Sequence, residues 1–179
     1  MKLTLNSLAP SFTTHNIYGH EINSPDPFGK KTYLAFERNA GCPVCNLRTH
    51  ELLKNADYFK SRNISMYLIY ESPVDKMKQY LGENSYPFQF ISDPQNQLYN
   101  LYGVKRSMLG VMRGLFNGIL TKVSAGNKLF SKPMRQDGHL DRIPAEFIID
   151  QRGKIVLAHY GKFVGDHLPI NTLMKHFEP

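Results

Sequence analysis

The chain of 179 residues contains only two cysteines, Cys42 and Cys45. So few cysteines exclude a small secreted fold held together by several disulfide bonds. They also exclude a zinc site with four thiolate ligands. A mixed site would need two further ligands, and His50 is the one imidazole near the pair in sequence. The other histidines are scattered without metal-binding spacing, so we assign neither a metal nor a cofactor.

Long apolar runs are also absent. The first ten residues, MKLTLNSLAP, lack an apolar run of signal-peptide length. No stretch has the roughly 18 uncharged apolar residues that a membrane-spanning helix requires. Hydrophobic residues make up 41% of the chain and charged residues 21%, which is typical of a folded domain and not of a disordered segment. We expect a single soluble, cytoplasmic domain over residues 1–179.

Acidic residues are missing from one segment, 105–136, which holds seven basic residues. The rest of the chain has fifteen residues of each sign, so the whole net charge of +7 lies in this segment. A helical repeat of apolar residues runs through it: Met108, Leu109, Met112, Leu115, Phe116, Ile119, Leu120 and Val123. We interpret about 105–142 as a helical insertion whose apolar stripe covers one edge of a sheet and whose basic residues face water.

Other interpretations of the insertion stay open. Its basic, amphipathic pattern is compatible with weak contact between 105–136 and an anionic membrane. Arg113 or Lys122 could instead draw an anionic substrate toward the thiols. Binding of nucleic acid is not expected, because no aromatic stacking platform accompanies the charge. Gly110, Gly114 and Gly118 recur at four-residue spacing and predict close backbone packing, since glycine otherwise costs helix stability.

Short runs of β-branched and aromatic residues predict five strands, over 31–38, 65–70, 88–91, 146–150 and 154–159. Helical spacing and capping residues predict helices over 44–60, about 73–81, 93–103 and 166–177. Strands separated by helices indicate a parallel sheet, to which the final hairpin adds an antiparallel edge. This order predicts an α/β, thioredoxin-like fold: a central mixed sheet flanked by helices, with the insertion before the final β-hairpin.

The sequence Cys42-Pro43-Val44-Cys45 follows a predicted strand and opens a predicted helix. Free N–H groups and the positive dipole end at a helix start favour a thiolate at Cys42, which is the reactive form of cysteine. Pro43 suits the first helical turn. Cys45 lies about one turn further on, close enough to form a disulfide with Cys42. We therefore predict that Cys42 attacks the substrate and that Cys45 resolves the product.

A second proline, Pro144, follows Ile143 just before the strand predicted over 146–150. A proline at this place is compatible with a simple strand start. It is also compatible with a cis-proline that faces the thiols, as thioredoxin folds place it.

Several segments resemble the AhpC/TSA family, which comprises the alkyl hydroperoxide reductases and thiol-specific antioxidant proteins. Residues 38–48, RNAGCPVCNLR, are similar to the active-site segment of its peroxiredoxin-like branch, and residues 143–150, IPAEFIID, to its carboxyl-terminal half. The opening residues 8–12, LAPSF, resemble it more weakly. The resemblance implies an antioxidant oxidoreductase that reduces peroxides through a Cys42–Cys45 couple. A thioredoxin-like protein or a low-molecular-weight thiol would restore the thiols.

The chain departs from this family at three positions. Typical members carry Pro and Thr or Ser seven and three residues before the reactive cysteine, and Arg before a later strand; here Ala35, Asn39 and Pro144 stand there. Arg142 or Arg48 is then the candidate for the missing guanidinium. The CxxC spacing with Pro144 instead matches thiol–disulfide oxidoreductases that act on protein disulfides. That activity is one alternative, and a non-enzymatic module bound to anionic membranes is the other.

Overall fold

The computed structural model describes residues 2–81, 86–129 and 135–178. Its strands are β1 (Phe12–His15), β2 (Glu21–Ser24), β3 (Thr32–Phe36), β4 (Ser65–Tyr70), β5 (Gln89–Ser92), β6 (Ala145–Ile149) and β7 (Ile155–Tyr160). Five of them form a sheet in the order β5–β4–β3–β6–β7, in which β3, β4 and β5 are parallel and β6 and β7 are antiparallel to their neighbours. The predicted mixed, thioredoxin-like sheet is confirmed. The small β1–β2 hairpin was not predicted.

The helices are α1 (Pro43–Lys54), α2 (Ala56–Ser61), α3 (Val74–Leu81), α4 (Gln97–Leu101), α5 (Met108–Phe116), α6 (Ile119–Asn127) and α7 (Ile170–Lys175). The helix predicted over 44–60 is interrupted at Asn55, whose backbone N–H donates to carbonyls of the last turn of α1. The helix predicted from Asp93 begins four residues later. The Asp93 carboxylate still caps it, because it accepts hydrogen bonds from the backbone N–H groups of Gln97 and Leu98.

Both faces of the five-stranded sheet are buried. Side chains alternate along a strand, so Tyr33 and Ala35 of β3 face one apolar cluster while Leu34 and Phe36 face the other. Helices α1, α3 and α7 contribute to the first cluster, and residues of α4 and of the β1–β2 hairpin contribute to the second. Burial on both sides explains why these strands read as continuous apolar runs. Both cysteines belong to the first cluster.

The insertion differs from its predicted form. Its described residues form two helices, separated at Gly118, whose left-handed backbone (φ +72°) glycine adopts without strain. Close packing was predicted for Gly118 as well, but a Cβ atom there would meet nothing within 4 Å, so that prediction is wrong at this position. The predicted direction of the apolar stripe is wrong, because most of its members point into solvent: Met108, Leu109, Met112, Leu115, Phe116 and Leu120. Only Ile119 and Val123 of the stripe pack with the core. No helix in the described residues is both long enough and apolar enough to cross a membrane.

Glycines explain this reversal. A Cβ atom added at Gly110 would lie 2.5 Å from Cδ1 of Ile143, and one added at Gly114 would lie 3.4 Å from the carbonyl oxygen of Val164. A Cβ atom at Gly126 would collide with the backbone of Pro43, where α6 packs against α1. The small-residue face of the insertion therefore contacts the body of the protein through its backbone. The larger side chains lie on the opposite face and stay exposed.

Candidate active site

The two cysteines lie where the chain turns from β3 into α1. The turn is closed by a hydrogen bond from the backbone N–H of Cys42 to the carbonyl oxygen of Asn39 (3.0 Å) and anchored by one from the N–H of Ala40 to Oγ of Ser72 (2.7 Å). Cys42 is the N-cap residue of α1, and Pro43 begins the helix. The structure therefore brings Cys42, Pro43 and Cys45 together in the predicted context.

Two hydrogen-bond donors contact the Cys42 sulfur. It accepts hydrogen bonds from the backbone N–H of Cys45 (3.3 Å) and from Nη2 of Arg38 (3.2 Å). Burial alone would raise the pKa of the Cys42 thiol, but the hydrogen bond from the Cys45 thiol and the positive charge of Arg38 outweigh burial and lower that pKa to about 6. Cys42 is therefore mostly a thiolate at neutral pH, which makes it the nucleophile of the pair.

The Cys45 sulfur has the opposite character. Burial raises the pKa of Cys45 well above that of an ordinary thiol, and its hydrogen bond to Cys42 and the negative charges of Cys42 and Glu37 raise it further. Cys45 is 4% exposed and accepts a hydrogen bond from the backbone N–H of Arg38 (3.4 Å). Two thiols with pKa values shifted apart have separate roles. Cys45 keeps its proton while Cys42 is ionised.

Arg38 is the guanidinium of this site, and no role for it was predicted. Besides the Cys42 sulfur, it donates to the carbonyl oxygen of Leu140 and to Oε1 of Gln136, both at 2.8 Å. The negative charge of Cys42 and the hydrogen bond to its sulfur raise the pKa of Arg38 although burial opposes them, so Arg38 stays protonated. Its position just after a buried strand and four residues before Cys42 is the sequence feature that could have identified it as a site residue.

The two arginines proposed from the sequence lie elsewhere. Arg48 is buried and pairs with Glu146, and it also donates to the hydroxyl of Tyr33. Arg142 pairs with Glu71 and donates to the carbonyl oxygen of Val104. Within the described residues, neither guanidinium donates a hydrogen bond to a cysteine sulfur. Both are partners of buried carboxylates, and the contact predicted for one of them is made by Arg38.

Pro144 is buried at the start of β6, but its peptide bond differs from the cis form considered for it. The cis peptide bond in the described part of the chain is Ser24–Pro25, so the bond between Ile143 and Pro144 is trans, which decides between the two interpretations that the sequence left open. The carbonyl oxygen of Pro144 accepts a hydrogen bond from the N–H of Gly161. This bond supports the simpler interpretation of Pro144 as a strand start.

Asn39 occupies the position where the resembling family carries Thr or Ser. Its side chain is fully buried, and neither Oδ1 nor Nδ2 has a hydrogen-bond partner within the described residues. Buried amides normally find partners, because an unpaired polar group costs free energy. A donor and an acceptor are thus available three residues before the reactive thiolate.

A segment that we call the strap, residues 135–141, packs against the turn that carries the thiols. The carbonyl of Arg135 lies against Gly41 so closely that a Cβ atom there would collide with it, and the hydroxyl of Tyr80 bonds that same carbonyl. Asp137 accepts a hydrogen bond from Oγ of Ser72 (2.7 Å). Cys42 itself is 0% exposed. A substrate therefore reaches the sulfur only when neighbouring groups move.

A thioredoxin-like sheet, a cysteine pair at the start of a helix and two thiols with opposite pKa shifts define a thiol-based redox enzyme. The particular family follows from a comparison of sequences. The sequence profile of the AhpC/TSA family matches residues 5–158. The chain therefore belongs to the AhpC/TSA family, and it is a thiol-dependent peroxidase.

Individual relatives are distant but span most of the chain. A Buchnera aphidicola protein with the provisional name peroxiredoxin bcp is 24% identical over 157 residues, which cover 85% of this chain and 90% of that protein. The crystal structure of peroxidoxin BcpB from Mycobacterium tuberculosis matches with a TM-score of 0.68 at 18% identity, covering 97% of this chain and 95% of the other. A yeast mitochondrial 1-Cys peroxiredoxin, described as resolved via glutathione/thioredoxin systems, matches with a TM-score of 0.65 at 19% identity, covering 97% and 74%. These structures share the fold.

Proposed function

We propose that the Cys42 thiolate attacks the terminal oxygen of a peroxide. The O–O bond breaks, Cys42 becomes a sulfenic acid, and the leaving oxygen takes up a proton as water or an alcohol. The observation that carries this proposal is the contact between the Cys42 sulfur and Arg38, which accompanies the low pKa of that thiol. Arg38 also offers positive charge to the oxygen on which negative charge develops.

The Asn39 amide supplies the second polar group of the proposed site. The hydroxyl expected three residues before the cysteine is missing, and this buried amide without partners in the described chain stands in its place. It would donate to one peroxide oxygen or accept from the other. Asn39 and Arg38 together would replace the Thr and Arg whose absence the sequence shows.

Cys45 would complete the cycle. Its thiol attacks the Cys42 sulfenic acid, water leaves, and a Cys42–Cys45 disulfide forms. An external thiol then restores both cysteines by thiol–disulfide exchange. We propose a thioredoxin-like protein or a low-molecular-weight thiol as this reductant, in line with the systems named for the yeast relative. Action on protein disulfides stays the alternative, since a reduced CxxC pair can also carry out that exchange.

Mass spectrometry after one equivalent of hydrogen peroxide tests this proposal. The wild-type protein should lose two hydrogen atoms, Cys45→Ser should gain one oxygen atom, and Cys42→Ser should stay unchanged. Equal oxidation of Cys42→Ser would contradict the assignment of Cys42. A wild type that ignores peroxides but reduces the disulfides of insulin would favour the alternative activity.

A second candidate function is contact with an anionic membrane through the insertion. Six large apolar side chains of α5 and α6 are exposed, with Phe116 at 86%, and the exposed Lys105, Arg113 and Lys128 accompany them. No acidic residue occurs over 105–136 to oppose an anionic surface. Apolar side chains next to cations are the pattern of a helix that lies in a membrane interface. This contact would accompany the peroxidase reaction.

Sedimentation with lipid vesicles tests the membrane contact. The protein should bind vesicles that contain phosphatidylserine at low salt, bind less at high salt, and ignore vesicles of phosphatidylcholine alone. Phe116→Ser should weaken binding. Phe28→Ser is the matched control, because Phe28 is equally exposed at 86% but lies outside the insertion. Absence of binding at low salt, or equal loss in both variants, would remove this candidate.

A further inference from the structure

Glu37 is a buried carboxylate directly after β3, one residue before Arg38. Its side chain is 0% exposed, and its Oε2 atom accepts a hydrogen bond from Nε2 of His167 (3.0 Å). Its other oxygen, Oε1, is buried and has no hydrogen-bond partner within the described residues. An unpaired carboxylate oxygen in the interior is costly unless a nearby group uses it.

Cys45 lies on the same side of the sheet as this carboxylate. Glu37 follows Tyr33 and Ala35 at two-residue steps, so its side chain points toward the cluster that holds the cysteines. The backbone N–H of the next residue, Arg38, donates to the Cys45 sulfur (3.4 Å), and the negative charge of Glu37 contributes to the raised pKa of Cys45 and of Tyr70. The hydroxyl of Tyr70 is already engaged with Oγ1 of Thr49 (2.7 Å). The Cys45 thiol must lose its proton during the proposed cycle, whereas Tyr70 has no such step.

His167 joins this buried carboxylate to the outside. It lines a cavity of about 330 Å³ together with Val44, Arg48, Lys122 and Leu168. Since a carboxylate only accepts, Nε2 of His167 carries the hydrogen of its bond to Glu37. A proton therefore has a route from the interior, through Glu37 and His167, to a space that water can fill.

The charges around His167 favour a protonated ring. Burial would lower the pKa of His167, but the charge and hydrogen bond of Glu37, together with the charge of Glu146, raise it on balance. Glu37 faces the ring from the end of β3 and Glu146 faces it from β6, while Arg48 of α1 opposes them with a positive charge. The raised pKa favours the imidazolium form of His167, which donates to Glu37.

We propose that Glu37 accepts the proton of Cys45 when the disulfide forms, and that His167 positions Glu37 and connects it to the cavity. This assignment rests on the proposed peroxidase cycle. The Cys45 thiol passes its proton to Glu37, and the resulting thiolate attacks the sulfur of the Cys42 sulfenic acid. A sulfur–sulfur bond forms as the sulfur–oxygen bond breaks. The leaving hydroxide takes up one proton and becomes water. Glu37 releases the proton of Cys45 through His167 to the cavity and returns to its ionised form.

The variant Glu37→Gln separates this role from a purely electrostatic one. Because the charge of Glu37 raises the pKa of Cys45, its removal lowers that pKa. If Glu37 were only a neighbouring charge, an easier ionisation of Cys45 would speed disulfide formation. If Glu37 accepts the proton, disulfide formation slows although Cys45 ionises more easily. The two roles predict opposite changes in the same rate.

The experiment measures two steps in one series of quenched samples after one equivalent of hydrogen peroxide. The chain has no tryptophan to report the reaction by fluorescence, so mass spectrometry with a sulfenic-acid trap follows both products. In Glu37→Gln, sulfenic acid should form at nearly the wild-type rate, while disulfide formation should fall roughly a hundredfold, as for the loss of a general base. The remaining rate should rise with pH, because hydroxide then removes the proton.

Two further variants distinguish loss of the carboxylate from a folding defect. Glu37→Asp keeps the carboxylate and should recover part of the rate, and His167→Asn should slow disulfide formation less than Glu37→Gln does. Thiol titration in Cys42→Ser, with and without Glu37→Gln, should show the lowered pKa of Cys45. Disulfide formation that is unchanged or faster in a folded Glu37→Gln would overturn the assignment. A wild type that forms no sulfenic acid would instead contradict the proposed function itself.

Discussion

The turn that carries the thiols and the inserted helices α5 and α6 differ in the kind of side chain that each one buries. In the turn over 37–45, charged and polar side chains are buried or half-buried beside the thiols: Arg38 donates to the Cys42 sulfur, and Glu37 accepts from His167. In the insertion, large apolar side chains such as Leu109 and Phe116 are exposed, while glycines face the protein. The comparison shows that polar contacts around the thiols determine which side chains of the turn are buried. In the insertion, close backbone contact at the glycines determines which face turns inward.

The largest expected effect concerns the turn. Arg38→Met removes the cation beside the Cys42 thiolate, so the pKa of Cys42 should rise. A rise of one unit would lower the thiolate fraction at pH 6 about fivefold. Arg38→Met also removes the positive charge beside the leaving oxygen, so we expect the rate with hydrogen peroxide at pH 6 to fall roughly tenfold or more. The measurement is the pH profile of peroxide consumption.

Arg152→Met is the matched control for this variant, because Arg152 is an exposed cation in the turn between β6 and β7. It removes the same charge from the whole molecule without touching the thiols. Equal shifts of the pH profile in both variants would mean that net charge, and not the contact at Cys42, sets the thiolate.

A medium effect is expected where the insertion meets the turn. In Gly126→Ala the new Cβ atom collides with the backbone of Pro43, and overpacking of this kind costs about 1–3 kcal/mol of unfolding free energy. Gly114→Ala is the control, because its nearest neighbours lie 3.4 Å or more away and alanine favours a helix. Urea unfolding should show a loss for the first variant and none for the second. Equal stabilities would argue against backbone contact as the basis of this packing.

The smallest effect is expected on the exposed face of the insertion. Met112 is 58% exposed, so Met112→Ala should change the unfolding free energy by no more than about 0.5 kcal/mol. Met77 is 0% exposed in the core, and Met77→Ala should cost about 2–5 kcal/mol. Thermal unfolding of both variants measures this contrast. A large loss for Met112→Ala would show that its side chain is buried in solution.

Local patterns were sufficient for much of the fold. The runs 65–70 and 146–150 gave strands within one residue of their observed bounds, because β-branched and aromatic residues there are bounded by turn residues. The CxxC pair also lies where its neighbours indicate. The cytoplasmic location and the single domain over 1–179 stay predictions of the sequence.

The rest of the site depends on contacts that spacing does not encode. His167 meets Glu37 across 130 residues of chain, and the strap brings Gln136 and Leu140 to Arg38 across about a hundred. The direction of the apolar stripe was predicted wrongly for a related reason. Periodicity identifies an amphipathic helix but not which face turns inward, and the close approach at Gly110 and Gly126 reversed the expected direction.

The central claim is that Cys42 is the thiolate of the pair, and its titration tests that claim most directly. In the reduced wild-type protein Cys45 keeps its proton, so the thiol that ionises near neutral pH is Cys42, and ultraviolet absorbance and the rate with hydrogen peroxide both follow it. The thiolate exists above its pKa, so both signals should be high at neutral pH and fall as the pH drops through about 6. A midpoint at or above the ordinary thiol value of about 8.5 would contradict the account.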